Sequence, residues 1–218
     1  MSLHLHGYWR SSATYRVRIA LNLKELEYNY VPVHLAKDGG QQFSDSYTSL
    51  NPAQLVPTFI DDDADIFLNQ SMAIIEYLDE RYEEPVKLLP SHRIDRARVR
   101  ALTQDIACDI QPVANLRVLN QLSQEFDALP EQRNQWCKHW IEKGFTAIER
   151  RIRNSATDYC FGFDLTLADI FLIPQVYNAE RFDVDMGQYP TIQRVAQNCN
   201  ELPAFIQAKP ENQIDAVS

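Results

Sequence analysis

From Leu3 to Tyr8 the chain alternates apolar and polar residues, the period of a short, half-buried strand. The period then lengthens. Val17, Ala20, Leu21 and Lys24 recur at helical spacing, with Ile19 and Leu23 widening the apolar face. Glu27 to Val33 (EYNYVPV) reads as a second strand, which Pro32 places at an edge or a bulge. Lys37-Asp38-Gly39-Gly40 is a turn, and Gln41 to Leu50 a short polar helix. A loop over Asn51–Pro57 feeds a strand through Thr58, Phe59 and Ile60. The acidic turn Asp61-Asp62-Asp63 joins that strand to Ile66-Phe67-Leu68 as a hairpin. Ser71 opens a helix whose apolar positions are Ile74, Ile75, Leu78 and Tyr82. The first part therefore reads βαβαββα, an α/β unit with a mixed sheet.

The pattern changes near Glu83. Two prolines within Glu84–Pro90 mark a linker, set at 84–92 between a first domain at 1–83 and a second at 93–218. The second domain reads as all-helical. Leu102, Ile106, Ile110, Val113 and Leu116 describe one long helix bent at Pro112. Pro130 opens another, with Trp136, Trp140, Phe145 and Ile148 on its apolar side. Thr166-Leu167-Ala168-Asp169 forms a capping box before Ile170–Val176, a run apolar all round that belongs at the centre of its domain.

Composition narrows the function classes. A chain of 218 residues with 45% hydrophobic and 23% charged residues is an ordinary globular one. Its net charge of −9 argues against nucleic acid or an anionic membrane as partner, so an anionic ligand needs a local cluster of arginines. No apolar run approaches the ~20 residues of a membrane span, and no signal peptide is visible. Cys108, Cys137, Cys160 and Cys199 are widely spaced, as expected for reduced thiols in cytoplasm. His4 and His6 share a strand face but lack a third ligand, so no metal site is expected.

Candidate chemistry gathers where the first strand meets the first helix. Trp9-Arg10-Ser11-Ser12-Ala13-Thr14 is rich in hydroxyls and holds one cation. Ser11 and Ser12 suit an N-cap, and a helix N-terminus with an adjacent Arg10 favours an anion. On this segment alone, plain capping is the better explanation of the serines.

Six ordered motifs carry a resemblance that spans nearly the whole chain: SSATYRVRIALNLK, KDGGQQF, LNPAQLVPT, NQSMAIIEYL, LTLADIFLIPQVYNAERF and YPTI. Together they resemble the zeta class of the glutathione transferases. The isomerase subgroup of that class is matched through Asp109-Ile110-Gln111-Pro112 and Asn178-Ala179-Glu180-Arg181-Phe182. The resemblance implies a thioredoxin-like glutathione-binding domain, an all-helical second domain and a cytoplasmic homodimer. The activity it implies is glutathione-dependent cis–trans isomerisation of maleylacetoacetate to fumarylacetoacetate in tyrosine and phenylalanine breakdown. Maleylpyruvate isomerisation, general conjugation or dehalogenation of α-halo acids, and a non-catalytic interaction module are the alternatives. One position departs from the family pattern: Ala13 stands where Ser-Ser-Cys is usual, so any thiol must come from glutathione.

The resemblance assigns roles by position. Ser11, then Ser12, is the candidate donor to the thiolate, with Tyr8 as rival. Gln70 and Ser71 suit the γ-glutamyl carboxylate, Val56 and a cis Pro57 the cysteinyl backbone, and Gln42 the glycyl end. Gln111 is a further cofactor-binding candidate. Arg10, Arg181 and Arg117 are candidates for the substrate carboxylates, set against the ordinary fate of arginine as a surface ion pair.

Overall fold

The structure, a computed structural model, describes residues 2–216. Four strands form one sheet in the order β2-β1-β3-β4: β1 Leu3–Gly7, β2 Asn29–Pro32, β3 Thr58–Asp61 and β4 Ile66–Asn69. β1 runs parallel to β2 and antiparallel to β3, and β3 pairs with β4 as the expected hairpin. β2 lies at an edge, where Pro32 removes no central ladder bond. Alternation along β1 is real, with Leu3, Leu5 and Gly7 buried.

Helix α1, Ser12–Leu23, is buried continuously from Thr14 to Leu21, a wider face than its apolar spacing predicts. Arg16 and Arg18 lie inside that face. Lys24, at its C-cap, is also buried. Its ammonium donates to Asp79 Oδ1 (2.7 Å), Tyr82 O (2.7 Å) and Val86 O (2.5 Å). Three donors thus meet three acceptors, the condition under which a buried ammonium is tolerated. The expected Gln41–Leu50 helix is divided: a 3₁₀ turn at Gln41–Phe43 precedes α2, Asp45–Leu50. The break falls at Ser44, whose hydroxyl caps α2 by accepting from Tyr47 N–H at 3.3 Å. Helix α3 follows at Ser71–Arg81.

The remaining helices are α4 Arg93–Gln104, α5 Leu116–Phe126, α6 Pro130–Ile152, α7 Leu167–Arg181, α8 Pro190–Asn200 and α9 Pro203–Ala208. The single long helix expected through Pro112 is instead four pieces. After α4 the ladder widens to a π-helix over Asp105–Ile110, tightens to 3₁₀ at Pro112–Ala114, and restarts as α5. Pro112 has no N–H and crowds the preceding turn, while Asn115 offers a new cap, its Oδ1 accepting from Arg117 N–H at 3.1 Å. Gly144 on α6 makes room for the widened turn. A Cβ there would lie 2.2 Å from Ile110 Cδ1.

The buried stripe of α6 runs through Cys137, Ile141, Phe145, Ile148 and Ile152. Trp136 and Trp140 flank it half-buried, and Trp136 Nε1–H donates to Val113 O (2.8 Å). Helix α7 is buried from Leu167 to Val176, as its all-round apolarity predicts. Burying each large aliphatic side chain there contributes about 1.5–3 kcal/mol. Its capping box forms: Thr166 N–H and Oγ1–H donate to Asp169 Oδ2, and Cys160 N–H donates to Oδ1 (2.8 Å).

Two compact units result, one of Met1–Lys87 with Leu202–Ser218 and the other of Leu88–Glu201. They differ from the division at 83 and 93 drawn from the sequence. Leu88 is buried in the second unit and accepts from Leu167 N–H at 2.8 Å. The segment after Glu201 returns to the first unit, where Arg18 and Asn22 of α1 donate to Ala208 O and Ala204 O. An apolar pattern cannot reveal this return, because polar side chains reaching backbone carbonyls make it.

Asp169→Ala would leave two buried N–H groups without an acceptor, at about 1–3 kcal/mol each. Urea titration is expected to show a loss of about 2–5 kcal/mol, with Asp169→Asn, which keeps one acceptor, losing less.

Candidate active site

Strand register brings four segments to one end of the sheet. His6 pairs with Thr58, and Thr58 pairs with Asn69, so Gly7–Ser12, Val56–Pro57 and Gln70–Ser71 emerge together. Gly7 pairs with Pro32, and Val33 N–H donates to Gly7 O at 2.6 Å, which adds the loop beginning at His34.

The first segment turns tightly. A Cβ on Gly7 would lie 2.2 Å from Thr14 Cγ2, so only glycine lets α1 start this close to the strand. Ser11 N–H donates to Tyr8 O (2.9 Å), and Ser11 O accepts from Tyr15 N–H (2.8 Å). Ser11 is the N-cap of α1, its Oγ accepting from Thr14 N–H at 3.2 Å. That bond uses a lone pair and leaves the hydroxyl hydrogen for another acceptor, so capping and donation coexist. Ser12 and Ala13 follow in the first turn, half-buried. Arg10 is exposed, its guanidinium 5.4 Å from the Trp9 ring centre. Tyr8, the rival donor, is buried, with its ring edge-on to His34 (4.9 Å) and Trp9 (5.9 Å).

Val56–Pro57 is cis. Leu55 O accepts from Tyr47 Oη–H (2.6 Å) and Asn51 Nδ2–H (2.7 Å), which fixes the loop. Among the described residues neither Val56 N–H nor Val56 C=O has a partner. Gln70 occupies the cap position of α3 with φ +71° and no side-chain cap. Ser71 is therefore the first helical residue, as the sequence pattern predicts. Its buried hydroxyl accepts from Arg16 Nη1–H at 3.3 Å. The first N–H groups of α3 point from an uncapped terminus beside a buried cation, a natural anion site. A left-handed φ at a non-glycine residue costs about 1–3 kcal/mol and is typical of binding sites.

Gln42 is buried. Its Nε2–H donates to Leu35 O (3.4 Å), and its Oε1 has no partner. Sequence reasoning passed over the residue that orders this loop. His34 Nδ1 accepts from Ala36 N–H (3.2 Å) and Lys37 N–H (2.9 Å), which places the ring proton on Nε2. Its own N–H donates to Gln41 Oε1 at 2.8 Å. The sequence signal was a histidine three residues before a Lys-Asp-Gly-Gly turn.

Gln111, Arg117 and Arg181 belong to the second unit. Gln111 is half-buried where the π-helix meets the 3₁₀ turn, the kind of irregular helix that recurs at functional sites. Arg117 is exposed in the first turn of α5, where the dipole disfavours a cation. Arg181 closes α7, 5.0 Å from the Phe182 ring centre. Burial pushes the Cys137 thiol up to about 11, against the nearby charges of Arg181 and Arg133. Among the described residues there is no cluster able to hold a metal ion, and no helix is long and apolar enough to cross a membrane.

Comparison with known proteins fits this geometry. Residues 1–80 match the family described as glutathione S-transferase, N-terminal domain. A Vibrio cholerae protein named "Probable maleylacetoacetate isomerase" is 53% identical, over 99% of both chains. A holo structure of maleyl pyruvate isomerase, described as a bacterial glutathione S-transferase in zeta class, aligns with TM-score 0.92. It is 44% identical and covers all of both chains. The chain belongs to the zeta class of the glutathione transferases. A maleylacetoacetate isomerase from Anaeromyxobacter dehalogenans, solved with glutathione in its active site, aligns at TM-score 0.88. It is 40% identical over 99% of this chain and 98% of its own. The zeta-class fold explains why β1, β2, β3 and β4 converge as they do: the thioredoxin-like sheet delivers four loops to one end of its strands.

In this transferase α3 is clamped from its far end. Buried Asp61, the last residue of β3, accepts from Tyr77 Oη–H (2.8 Å) and Tyr82 Oη–H (3.2 Å) and forms an ion pair with Arg81 Nε at 3.0 Å. Burial raises the Asp61 pKa, but bonds from Tyr77 and Tyr82, the Arg81 charge and Ala64 N–H outweigh it and hold it below the usual value. A depressed folded pKa stabilises fully above the unfolded value of about 3.9 and ceases to stabilise as pH falls through the folded one. Thermal unfolding measured between pH 6 and pH 2 is therefore expected to lose stability in that acid window. Asp61→Asn, already weakened at pH 6, is expected to lose less across it.

Proposed function

We propose that this protein is a glutathione-dependent cis–trans isomerase acting on maleylacetoacetate. The observation that carries the reading is Ser11: a cap of α1 whose hydroxyl hydrogen remains to be donated, at the sheet end shared with three other cofactor-suited segments. The residues fit glutathione. Val56 offers one unpaired N–H and one unpaired C=O to a peptide backbone. The uncapped start of α3 with Ser71 suits a carboxylate, and the unpartnered Gln42 Oε1 suits a donor. Gln111 is assigned to the same cofactor through its motif. Bound there, glutathione supplies a thiol for reversible addition to a conjugated double bond.

The protein's part is electrostatic. A free thiol has a pKa near 8.5, and lowering it by about two units, at ~1.36 kcal/mol each, makes the anion the main form at pH 7. Ser11 Oγ–H and the α1 terminus both favour negative charge at that point. Ser12 stands one residue further into the same field. Arg10 adds a cation where charge develops on the substrate's conjugated oxygens, the form of stabilisation that raises kcat. Arg181, and secondarily Arg117, are the proposed partners of the distal carboxylate. Ala13 removes the family thiol from the turn, so isomerisation proceeds without a protein cysteine there.

Maleylpyruvate is the second reading, supported by the 0.92 TM-score to an enzyme of that name. The protein is further proposed to be a cytoplasmic homodimer. Exposed Phe43 and Phe67 on the first unit support self-association, and sedimentation velocity tests it.

Ser11→Ala is expected to lower isomerase kcat about 10- to 100-fold, the worth of one charge-assisted hydrogen bond, with glutathione affinity nearly intact. Full activity in Ser11→Ala with an inactive Tyr8→Phe would assign activation to the tyrosine. Arg10→Met is expected to raise KM for the diketo acid and lower kcat, whereas Arg181→Met changes mainly KM. Steady-state rates with maleylacetoacetate and maleylpyruvate side by side decide the substrate, and a higher kcat/KM for maleylpyruvate would replace the first reading with the second.

A further inference from the structure

Trp9, two residues before Ser11, is gripped on both sides of its backbone by groups from outside the turn. Its N–H donates to Asp215 Oδ2 at 3.0 Å, and its C=O accepts from Arg18 Nη2–H at 2.9 Å. Arg18 is fully buried on α1, and its Nε–H donates to Ala208 O at 3.0 Å. Asp215 Oδ2 also accepts from Tyr30 Oη–H on β2 at 3.3 Å. The strand, the helix and the C-terminal segment thus converge on one stretch of backbone.

This arrangement is a costly way to attach a segment. Burial lowers the Arg18 pKa, against the opposing influence of Tyr30, Tyr28, Tyr15 and Asp215. Arg18 Nη1 and Asp215 Oδ1 are buried without a partner. Apolar packing would hold the segment without leaving unsatisfied polar atoms. What the polar network adds is direction: it fixes where the Trp9 N–H and C=O point, and hence where the turn places its next residues.

We propose that Asp215 is a positioning residue for the isomerase reaction, through which the C-terminal segment sets the Trp9–Ser12 turn and so the aim of Ser11 Oγ and Arg10. Asp215 itself acts only through the Trp9 backbone. The proposal rests on the role given to Ser11 under Proposed function.

The test uses the full chain with Asp215→Ala and Asp215→Asn, followed by amide hydrogen exchange and steady-state kinetics with maleylacetoacetate. Asp215→Ala is expected to speed exchange at the Trp9 amide about tenfold or more and to lower kcat by a similar factor. Its KM for glutathione is expected to stay within about twofold, since the Val56, Ser71 and Gln42 contacts are untouched. Asp215→Asn keeps an acceptor for Trp9 N–H and is expected to rescue both readouts to within about threefold of wild type. Tyr30→Phe, which releases Asp215 Oδ2 from one donor, keeps the test decisive if Asp215→Ala does not fold. It is expected to move both readouts in the same direction by about two- to threefold. Faster exchange with unchanged kcat, unchanged exchange, or equal kcat losses in the Asn and Ala variants would each overturn the proposal. A wild type without isomerase activity would instead overturn the reading beneath it, while exchange at Trp9 would still report whether Asp215 holds the turn.

Discussion

Much of the first unit hangs on the burial of three cations from one helix. Arg16, Arg18 and Lys24 belong to α1 or its cap and are almost wholly withdrawn from solvent. Each reaches a different part of the chain: Arg16 the start of α3, Arg18 the Trp9 and Ala208 carbonyls, and Lys24 the end of α3 and the segment leaving it. A buried cation is tolerable only where acceptors meet it, so these contacts are obligatory rather than decorative. They make α1 the reference against which the turn before it and the helix N-terminus beside it are set.

The architecture was largely legible because the periods along the chain are clean. Alternation over Leu3–Gly7, the hairpin around Asp61–Asp65 and the all-apolar run of α7 translated directly into elements. Failures came where polar groups override pattern. Leu102 to Leu116 keeps helical spacing, yet the missing N–H of Pro112 and the cap at Asn115 split the helix. The return of residues 202–216 to the first unit was invisible, since it is made by side chains donating to carbonyls that any sequence possesses.

The site was legible in a different way. Ser11 as a cap follows from residue type and position, whereas gathering Val56, Gln42 and Gln70 at one sheet end required the family motifs before the register displayed it. The positive φ of Gln70 had no local sequence signal, because glycine or asparagine is the usual choice there. Nor did the Nδ1 contacts of His34, which depend on how the following turn closes. Each of these is a place where local preference yields to what must be presented at that end of the sheet.

The first unit is discontinuous along the chain, and this bears on how the protein is made. Arg18 leaves the ribosome 190 residues ahead of its acceptor at Ala208. At about 5–20 residues per second, the whole second unit is synthesised during the roughly 10–40 s that separate the two. Over that interval Arg18 has the Trp9 carbonyl as an acceptor but lacks the one at Ala208. Premature termination after Glu201 would therefore injure the first unit, although every residue of its sheet had been translated correctly.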